Sequence, residues 1–204
     1  MTRHWGFALA LALAAGAATE TASRLIAASF PDRPWAPDLL HNLLPHIPAA
    51  SYLTLGALGA ALALFALYCA RHGRDRMPEF LALVAVMYLL RAGISVLTPL
   101  AVARTDAVLS FPLFGNVLFP SGHTALAYLL TRLTDRERAP GLRAAQTVLL
   151  GVIMVTMLLS RGHYSIDLAG GLLLGYFVSR EWAEGRLFGP IRRLVAAKAS
   201  PAMP

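Results

Sequence analysis

Charged side chains are scarce in this chain: aspartate, glutamate, lysine and arginine together make up 14% of its 204 residues. Ordinary soluble domains carry about a quarter of such residues, whereas here 57% of the residues are hydrophobic. This composition argues against a soluble domain and favours helices that face lipid. The formal net charge of +7 is divided among separate segments without one basic face, so nucleic acid is not an expected partner.

Cysteine is nearly absent as well. The single thiol, Cys69, cannot form a disulfide within the chain, so cysteine usage does not indicate a redox compartment. No tandem repeat or low-complexity segment divides the sequence. We therefore predict one integral-membrane domain over residues 1–204, with a core at 31–182 and a basic cytoplasmic tail at 183–204.

Long apolar windows predict the fold class, an all-α polytopic membrane protein built as a six-transmembrane-helix bundle. The fourth window is short, at about 13 residues, and needs the preceding "FGNVLF" to complete a crossing. An uncleaved first span is favoured over a cleavable secretion signal, because the rest of the chain is also membrane-like. The six predicted spans are approximately 5–28, 50–70, 80–100, 121–133, 144–160 and 165–182.

Arginine and lysine predict the orientation of these spans, because both accumulate in cytoplasmic loops. With the N-terminus inside, the predicted outer loops keep only Arg33, Arg104 and Arg161. Both termini are therefore expected in the cytoplasm, and the outer ends of the helices on the periplasmic or luminal side.

Three polar clusters interrupt the apolar sequence at one predicted membrane level. They are "YLLRAGISVLTPL", "FPSGHTALAYLL" and "SRGHYSID". Ionisable groups inside membrane spans are costly and are candidates for functional sites. The convergence of the three clusters on the outer end of the bundle indicates a single site there.

The third cluster suggests an oriented nucleophile. His163 and Asp167 are four residues apart, so on one helix they would share a face, and the carboxylate would fix the tautomer of the imidazole. The planar guanidinium of the nearby Arg161 suits phosphate oxygens. A His–Asp pair at this spacing is also common on helix surfaces, and an arginine there can simply anchor at the membrane interface.

The second cluster suggests an anion site at a helix start. Pro120 favours helix initiation, and the N–H groups of Ser121 and Gly122 would then point at an anion. His123 in the same turn could protonate a leaving oxygen. An ordinary turn is the alternative for this triplet, and metal binding by the histidines ranks below phosphate binding because Arg161 would repel a cation.

Together, "PSGH" and "SRGHYSID" resemble the second and third signatures of the type 2 phosphatidate phosphatase superfamily. The resemblance implies that His163 is a nucleophile that forms a phosphohistidine, that Asp167 orients it, and that His123 is the general acid. The residues that the resemblance assigns to phosphate binding are Ser121, Gly122, Ser160 and Arg161.

The first signature of that superfamily, KxxxxxxRP, is altered here. "RAGISVLTP" has Arg91 in the lysine position and Thr98 in the arginine position, and we include both in the predicted phosphate site. The first outer loop, residues 31–48, resembles the loop before the second span of sphingomyelin synthases and related proteins. Loss of one cation and this loop both favour transfer of a phosphate-bearing head group over hydrolysis of a monoester.

The sequence thus predicts a membrane lipid phosphotransferase or phosphoesterase of sphingomyelin-synthase-like type, acting on a phospholipid or lipid phosphate within the bilayer. No metal or other cofactor is expected, and nothing indicates the oligomeric state. Two alternatives stay open: a lipid phosphate phosphatase of phosphatidate or polyprenyl type, and a non-catalytic lipid-binding scaffold.

Overall fold

The computed structural model of the protein describes residues 2–101 and 116–196. Within these ranges the chain is helical and contains no strand, which confirms the predicted all-α class for this part of the molecule. A short 3₁₀ turn, Arg74–Arg76, leads directly into the fourth helix. The helices are α1 (Thr2–Ser29), α2 (Leu39–Leu43), α3 (Ala50–His72), α4 (Met77–Leu97), α5 (Gly122–Leu133), α6 (Pro140–Leu159), α7 (Ser165–Glu184) and α8 (Gly189–Val195).

Four helical segments in the described ranges are long and apolar enough to cross a membrane: His4–Ser29, Ala50–His72, Arg74–Leu97 and Pro140–Leu159. Large apolar side chains project from them, such as Leu13 at 75% exposure. Because water would disfavour such surfaces, these helices indicate an integral membrane protein. The prediction of six spans is therefore wrong: each predicted span contains a helix, but two of these helices are not candidates for crossing.

The two exceptions are α5 and α7. With 12 residues, α5 is about 18 Å long, well short of a hydrocarbon core of about 30 Å. The residues at 116–119 that were expected to extend it are not helical, and the first two residues of "FGNVLF" lie outside the described residues, as does Arg104. Helix α7 has 20 residues, but it carries Asp167 at one end and charged side chains at the other, namely Arg180, Glu181 and Glu184.

The helices pack in pairs around α5. Helix α1 packs mainly against α4, α3 packs against α6, and α5 lies between α6 and α7 with further contacts to α3 and α4. Most of α5 is buried, and Leu129 joins Leu83, Met87 and Val178 in the largest apolar core. The shortest of these packed helices is thus held inside the bundle by its neighbours.

Helix α7 approaches α5 through a face of glycines. A Cβ on Gly171 would lie 2.6 Å from the backbone oxygen of Ser121, and one on Gly175 would lie 2.9 Å from the ring of Tyr128. The GxxxG spacing in α7 predicts such close helix packing, and the structure confirms it. Larger residues at these positions would push α5 and α7 apart.

At the end of the bundle opposite to the polar clusters, Glu79 holds α8 in place. Its buried Oε1 accepts hydrogen bonds from Trp182 Nε1 and Arg192 Nε, both at 3.1 Å. His4 Nδ1 lies 2.8 Å from the carbonyl oxygen of Leu194. The helical part of the predicted basic tail therefore packs against the bundle, and the start of α1 lies beside it.

Candidate active site

The predicted histidine–aspartate pair forms. His163 Nδ1 lies 3.0 Å from Asp167 Oδ2, and the same oxygen accepts the backbone N–H of Tyr164 at 3.0 Å. Asp167 is fully buried. The pair does not share a helix face as expected, because His163 lies in the turn before α7 and only Asp167 belongs to the helix. With Nδ1 held by the carboxylate, Nε2 is the nitrogen available for chemistry.

His123 faces this pair from the first turn of α5. The centroids of the His123 and His163 rings are 5.9 Å apart, and the rings meet edge to face at 72°. Two of the three polar clusters therefore come together at the same end of the bundle. The ring separation leaves room for both imidazoles to reach one small group between them.

Ser121 joins the start of α5 to the start of α7. Its backbone N–H donates to the carbonyl oxygen of Asp167 at 2.9 Å, and its hydroxyl oxygen accepts the N–H of Thr124 at 3.3 Å. The backbone N–H of Ser121, which was predicted to face an anion, is thus used by Asp167, and the hydroxyl acts as a helix cap; the predicted role of Ser121 in phosphate binding stays a prediction. The N–H groups of Gly122 and His123 follow in the first turn, where a helix provides no partner of its own.

Arg91, from the first polar cluster, contacts the segment that leads into α5. Its Nε donates to the carbonyl oxygen of Pro120 at 2.8 Å, and its Nη2 donates to that of Val117. A Cβ on Gly122 would lie 3.0 Å from Arg91 Nε, so glycine here makes space for the guanidinium. Arg91 was predicted to bind phosphate; in the structure it braces the turn that carries His123.

Thr98, the other residue of the altered signature, is the residue that follows α4. It lines a cavity with the end of α1 and the segment after it. Three residues earlier, Ser95 Oγ donates to the carbonyl oxygen of Phe119 at 2.7 Å. The predicted role of Thr98 in phosphate binding stays a prediction.

Arg161 retains an unused donor. Its Nη2 donates to the carbonyl oxygen of His41 at 3.2 Å, while its buried Nε has no hydrogen-bond partner among the described residues. The backbone of Arg161 is in the left-handed region, with φ at 51°. The preceding Ser160 donates its hydroxyl to the carbonyl oxygen of Met157 at 3.3 Å. Arg161 is thus better disposed than Ser160 to bind an anion.

The site also contains Asp38, which was not among the predicted site residues. Its carboxylate accepts the N–H of Leu40 at 2.9 Å and the N–H of Ser165 at 2.5 Å, so it caps α2 and α7 together. Burial would raise the pKa of this carboxyl, but the hydrogen bonds from Ser165 and Leu40 and the nearby His41 outweigh burial and lower the pKa below 3.8. An aspartate before "LLHNLL" is a recognisable helix-start signal, although nothing in it indicates Ser165.

His41 and Tyr164 complete the contact between the segment that follows α1 and the turn that carries His163. His41 Nε2 lies 3.1 Å from the carbonyl oxygen of His163, and the ring centroids of His41 and Tyr164 are 5.6 Å apart. The hydroxyl of Tyr164 donates to the carbonyl oxygen of Ala101 at 3.0 Å. No sequence pattern marks these contacts, because they join residues more than 60 positions apart.

Fold and site together define a class: a helical integral-membrane protein in which a buried histidine–aspartate pair faces a second histidine. The family model described as AtPDCT1/2 matches residues 39–182, well over half of the chain, and the chain belongs to this family. The name denotes phosphatidylcholine:diacylglycerol cholinephosphotransferase, a lipid head-group transferase. No curated protein matches the chain at a significant level.

The assignment to the type 2 phosphatidate phosphatase superfamily, with its sphingomyelin-synthase-related branch, is wrong: the matching family model is AtPDCT1/2. Short motifs such as "PSGH" record a local arrangement of reactive groups, which different families can have. A match over residues 39–182 also weighs the helices and loops around those groups. The coarser prediction, an enzyme that handles lipid head groups, agrees with the family.

Proposed function

We propose that this protein transfers a phosphocholine head group from phosphatidylcholine to the free hydroxyl of a diacylglycerol, through a covalent intermediate on His163. The observation that carries the proposal is the 5.9 Å separation of the His123 and His163 rings, with Asp167 on Nδ1 of His163. Membership of the AtPDCT1/2 family supports the choice of donor and acceptor.

In the first half-reaction, His163 Nε2 attacks the phosphorus atom of the donor. A nitrogen–phosphorus bond forms, and the bond between phosphorus and the diacylglycerol oxygen breaks. His123 donates a proton to that oxygen, so the lipid leaves as a neutral alcohol. Asp167 keeps the proton of His163 on Nδ1, which directs the lone pair of Nε2 at phosphorus.

In the second half-reaction, the acceptor diacylglycerol occupies the position that the first lipid has left. Its hydroxyl gives its proton to His123, which the first step has left neutral, and its oxygen attacks phosphorus. The nitrogen–phosphorus bond breaks, and His163 returns to its starting form. Protons and bonds therefore balance over one cycle, and the same two histidines serve both directions.

Positive charge for the phosphate oxygens comes from two sources. Arg161 Nε is buried without a hydrogen-bond partner among the described residues, and the N-terminus of α5 presents the N–H groups of Gly122 and His123. A phosphodiester carries a single negative charge, so one arginine and a helix N-terminus suffice. This is the reason for assigning a diester substrate to a site with Thr98 in place of a second cation.

The test uses the full chain in vesicles that contain phosphatidylcholine labelled in its head group and an unlabelled diacylglycerol of different acyl length. We expect labelled phosphatidylcholine of the acceptor's acyl length. Donor alone should place an acid-labile label on His163. His163→Ala should abolish both signals, whereas Leu13→Ala, on the exposed face of α1, should retain them.

Three outcomes would contradict the proposal. Release of free phosphocholine or phosphate without dependence on the acceptor would indicate hydrolysis instead. Unchanged turnover in His163→Ala would remove this residue as the nucleophile. An absence of turnover across a wide panel of lipids would favour a non-catalytic lipid-binding protein.

A further inference from the structure

A cavity of about 580 Å³ lies between the ends of α1 and α4 and the segment that follows α1. Its volume is typical of pockets that bind small molecules, about 300–1,000 Å³. The walls are mostly apolar, and a few polar side chains interrupt them. Residues that represent both kinds are Ser29, Phe30, Arg33, Leu97, Thr98 and Leu100.

The wall of this cavity is in contact with the turn that carries His163. Leu100 packs against the small apolar cluster formed by Leu118 and Tyr164, and Tyr164 is the residue that follows His163. The hydroxyl of Tyr164 accepts the N–H of Ala36 at 3.4 Å and donates to the carbonyl oxygen of Ala101 at 3.0 Å, so it ties together the two segments that form the wall. The cavity therefore adjoins the site from the side of α1 and α4.

A second set of contacts links the cavity to the turn before His123. Arg33 Nη2 donates to Asn116 Oδ1 at 2.7 Å. The next residue, Val117, offers its carbonyl oxygen to Arg91, which also holds Pro120. Both histidine-bearing elements are thus joined to the cavity through short chains of contacts.

The rim of the cavity carries exposed apolar side chains. Leu97 is 81% exposed and Phe30 is 44% exposed, and both lie at the ends of helices that can cross a membrane. In a membrane, apolar side chains at the ends of spanning helices favour the lipid interface over water. Such a rim would give a lipid a lateral route from the bilayer into the cavity.

The charges at the cavity select for a neutral ligand. Asp32 and Arg33 both line it and carry opposite charges, so the lining has no net charge. The hydroxyls of Ser29 and Thr98 can exchange hydrogen bonds with an alcohol or an ester. With no net charge in the lining and with Arg33 donating to Asn116, the cavity gives an anionic head group little attraction, whereas a neutral glycerolipid needs only apolar walls and a few hydrogen-bonding groups.

We infer that this cavity is the binding site of the neutral glycerolipid, with the free hydroxyl of the lipid directed at the pocket between His123 and His163. The choice of lipid rests on the proposed function, because both the leaving group and the acceptor in that reaction are diacylglycerols. One cavity then serves both half-reactions, and the head group stays on His163 while the lipids exchange.

The test is photo-crosslinking of the full chain in vesicles of phosphatidylethanolamine and phosphatidylglycerol with a photoactivatable diacylglycerol. We expect crosslinks within residues 29–34 or 97–100, and competition by unlabelled diacylglycerol. Ser29→Trp should fill the cavity and reduce the crosslinking at least about tenfold, equivalent to about 1.4 kcal/mol. Leu13→Trp, which adds the same ring on the exposed face of α1, should crosslink like the wild type.

Crosslinks that lie elsewhere, or that persist at full yield in Ser29→Trp, would overturn the inference. If Ser29→Trp does not fold, the crosslink positions in the wild type and their competition decide the matter alone. A water-soluble aryl ester of phosphocholine tests the proposed function separately, since it should label His163 in the wild type without any diacylglycerol. Failure of that labelling counts against the chemistry, and failure of the crosslinking counts against the cavity.

Discussion

Replacing Gly171 with alanine tests how closely the two histidine-bearing elements must approach. The added Cβ would lie 2.6 Å from the backbone oxygen of Ser121 and 2.9 Å from Cβ of Thr124. Both atoms belong to the start of α5, where the backbone cannot swing away as a long side chain would. Since ordinary contact begins near 3.4 Å, α5 and α7 would have to separate by about 1 Å.

The effect on the rate follows from what these helices carry. Ser121 N–H donates to the carbonyl oxygen of Asp167, and His123 lies two residues after Ser121. Separation of α5 from α7 would therefore move the His123 ring away from His163. A displacement of about 1 Å can lower a rate by about 100-fold. Overpacking costs about 1–3 kcal/mol, and the better helix propensity of alanine offsets about 1 kcal/mol of this.

We therefore expect Gly171→Ala to transfer head groups about 100-fold more slowly and to unfold at a lower temperature than the wild type. The measurements are the lipid transfer assay and thermal unfolding of the same preparation. Gly59→Ala in α3 is the matched control, because a Cβ there meets nothing within 4 Å. A transfer rate for Gly171→Ala within threefold of the wild type would refute the reasoning that this helix contact sets the histidine geometry.

Two further predictions concern the carboxylates. Asp167→Asn should keep the fold but slow transfer by on the order of 10³–10⁴-fold, because an amide can hold His163 in the wrong tautomer; full activity in single-turnover assays would contradict this. Asp38→Asn should destabilise the protein by about 1 kcal/mol at neutral pH, because the amide keeps one acceptor oxygen for the N–H of Leu40 but turns a donor NH2 group toward the N–H of Ser165. Because the pKa of Asp38 is lowered in the fold, the stability that its carboxylate contributes is present above pH 3.8 and is lost as the pH falls through the lowered pKa. The free energies of unfolding of the variant and the wild type should therefore converge at acidic pH. A constant difference between them down to the lowest pH would contradict the role assigned to Asp38.

The positions of the long helices could be predicted from the sequence because apolar runs here end at prolines, glycines and charges. The number of crossings could not. An apolar window does not distinguish a helix that faces lipid from one that other helices surround, as α5 shows. In helix α8, the sequence did not show which charged residues are packed inside the protein. Arg192 was predicted to belong to a basic tail, yet it donates to the buried Glu79.

The hydrogen-bonded pair of His163 and Asp167 could be predicted because the two residues lie four positions apart, although they do not share a helix face, and their catalytic role stays a prediction. The supporting contacts were not, because they join distant parts of the chain. Arg91 illustrates this limit: its type and place suggest anion binding, and the sequence does not show that its Nε and Nη2 donate to the carbonyls of Pro120 and Val117. The family assignment had the same limit, since short motifs carry the chemistry and little of the surrounding fold.

The backbone at Arg161 has a consequence for attempts to stabilise this protein. A residue with a side chain at a φ of 51° is strained by roughly 1–2 kcal/mol relative to glycine. A screen that rewards heat resistance alone would therefore favour glycine at this position. The stabilised variant would lack the guanidinium that we assign to phosphate binding. Any such screen therefore needs a measurement of lipid transfer beside the measurement of thermal stability.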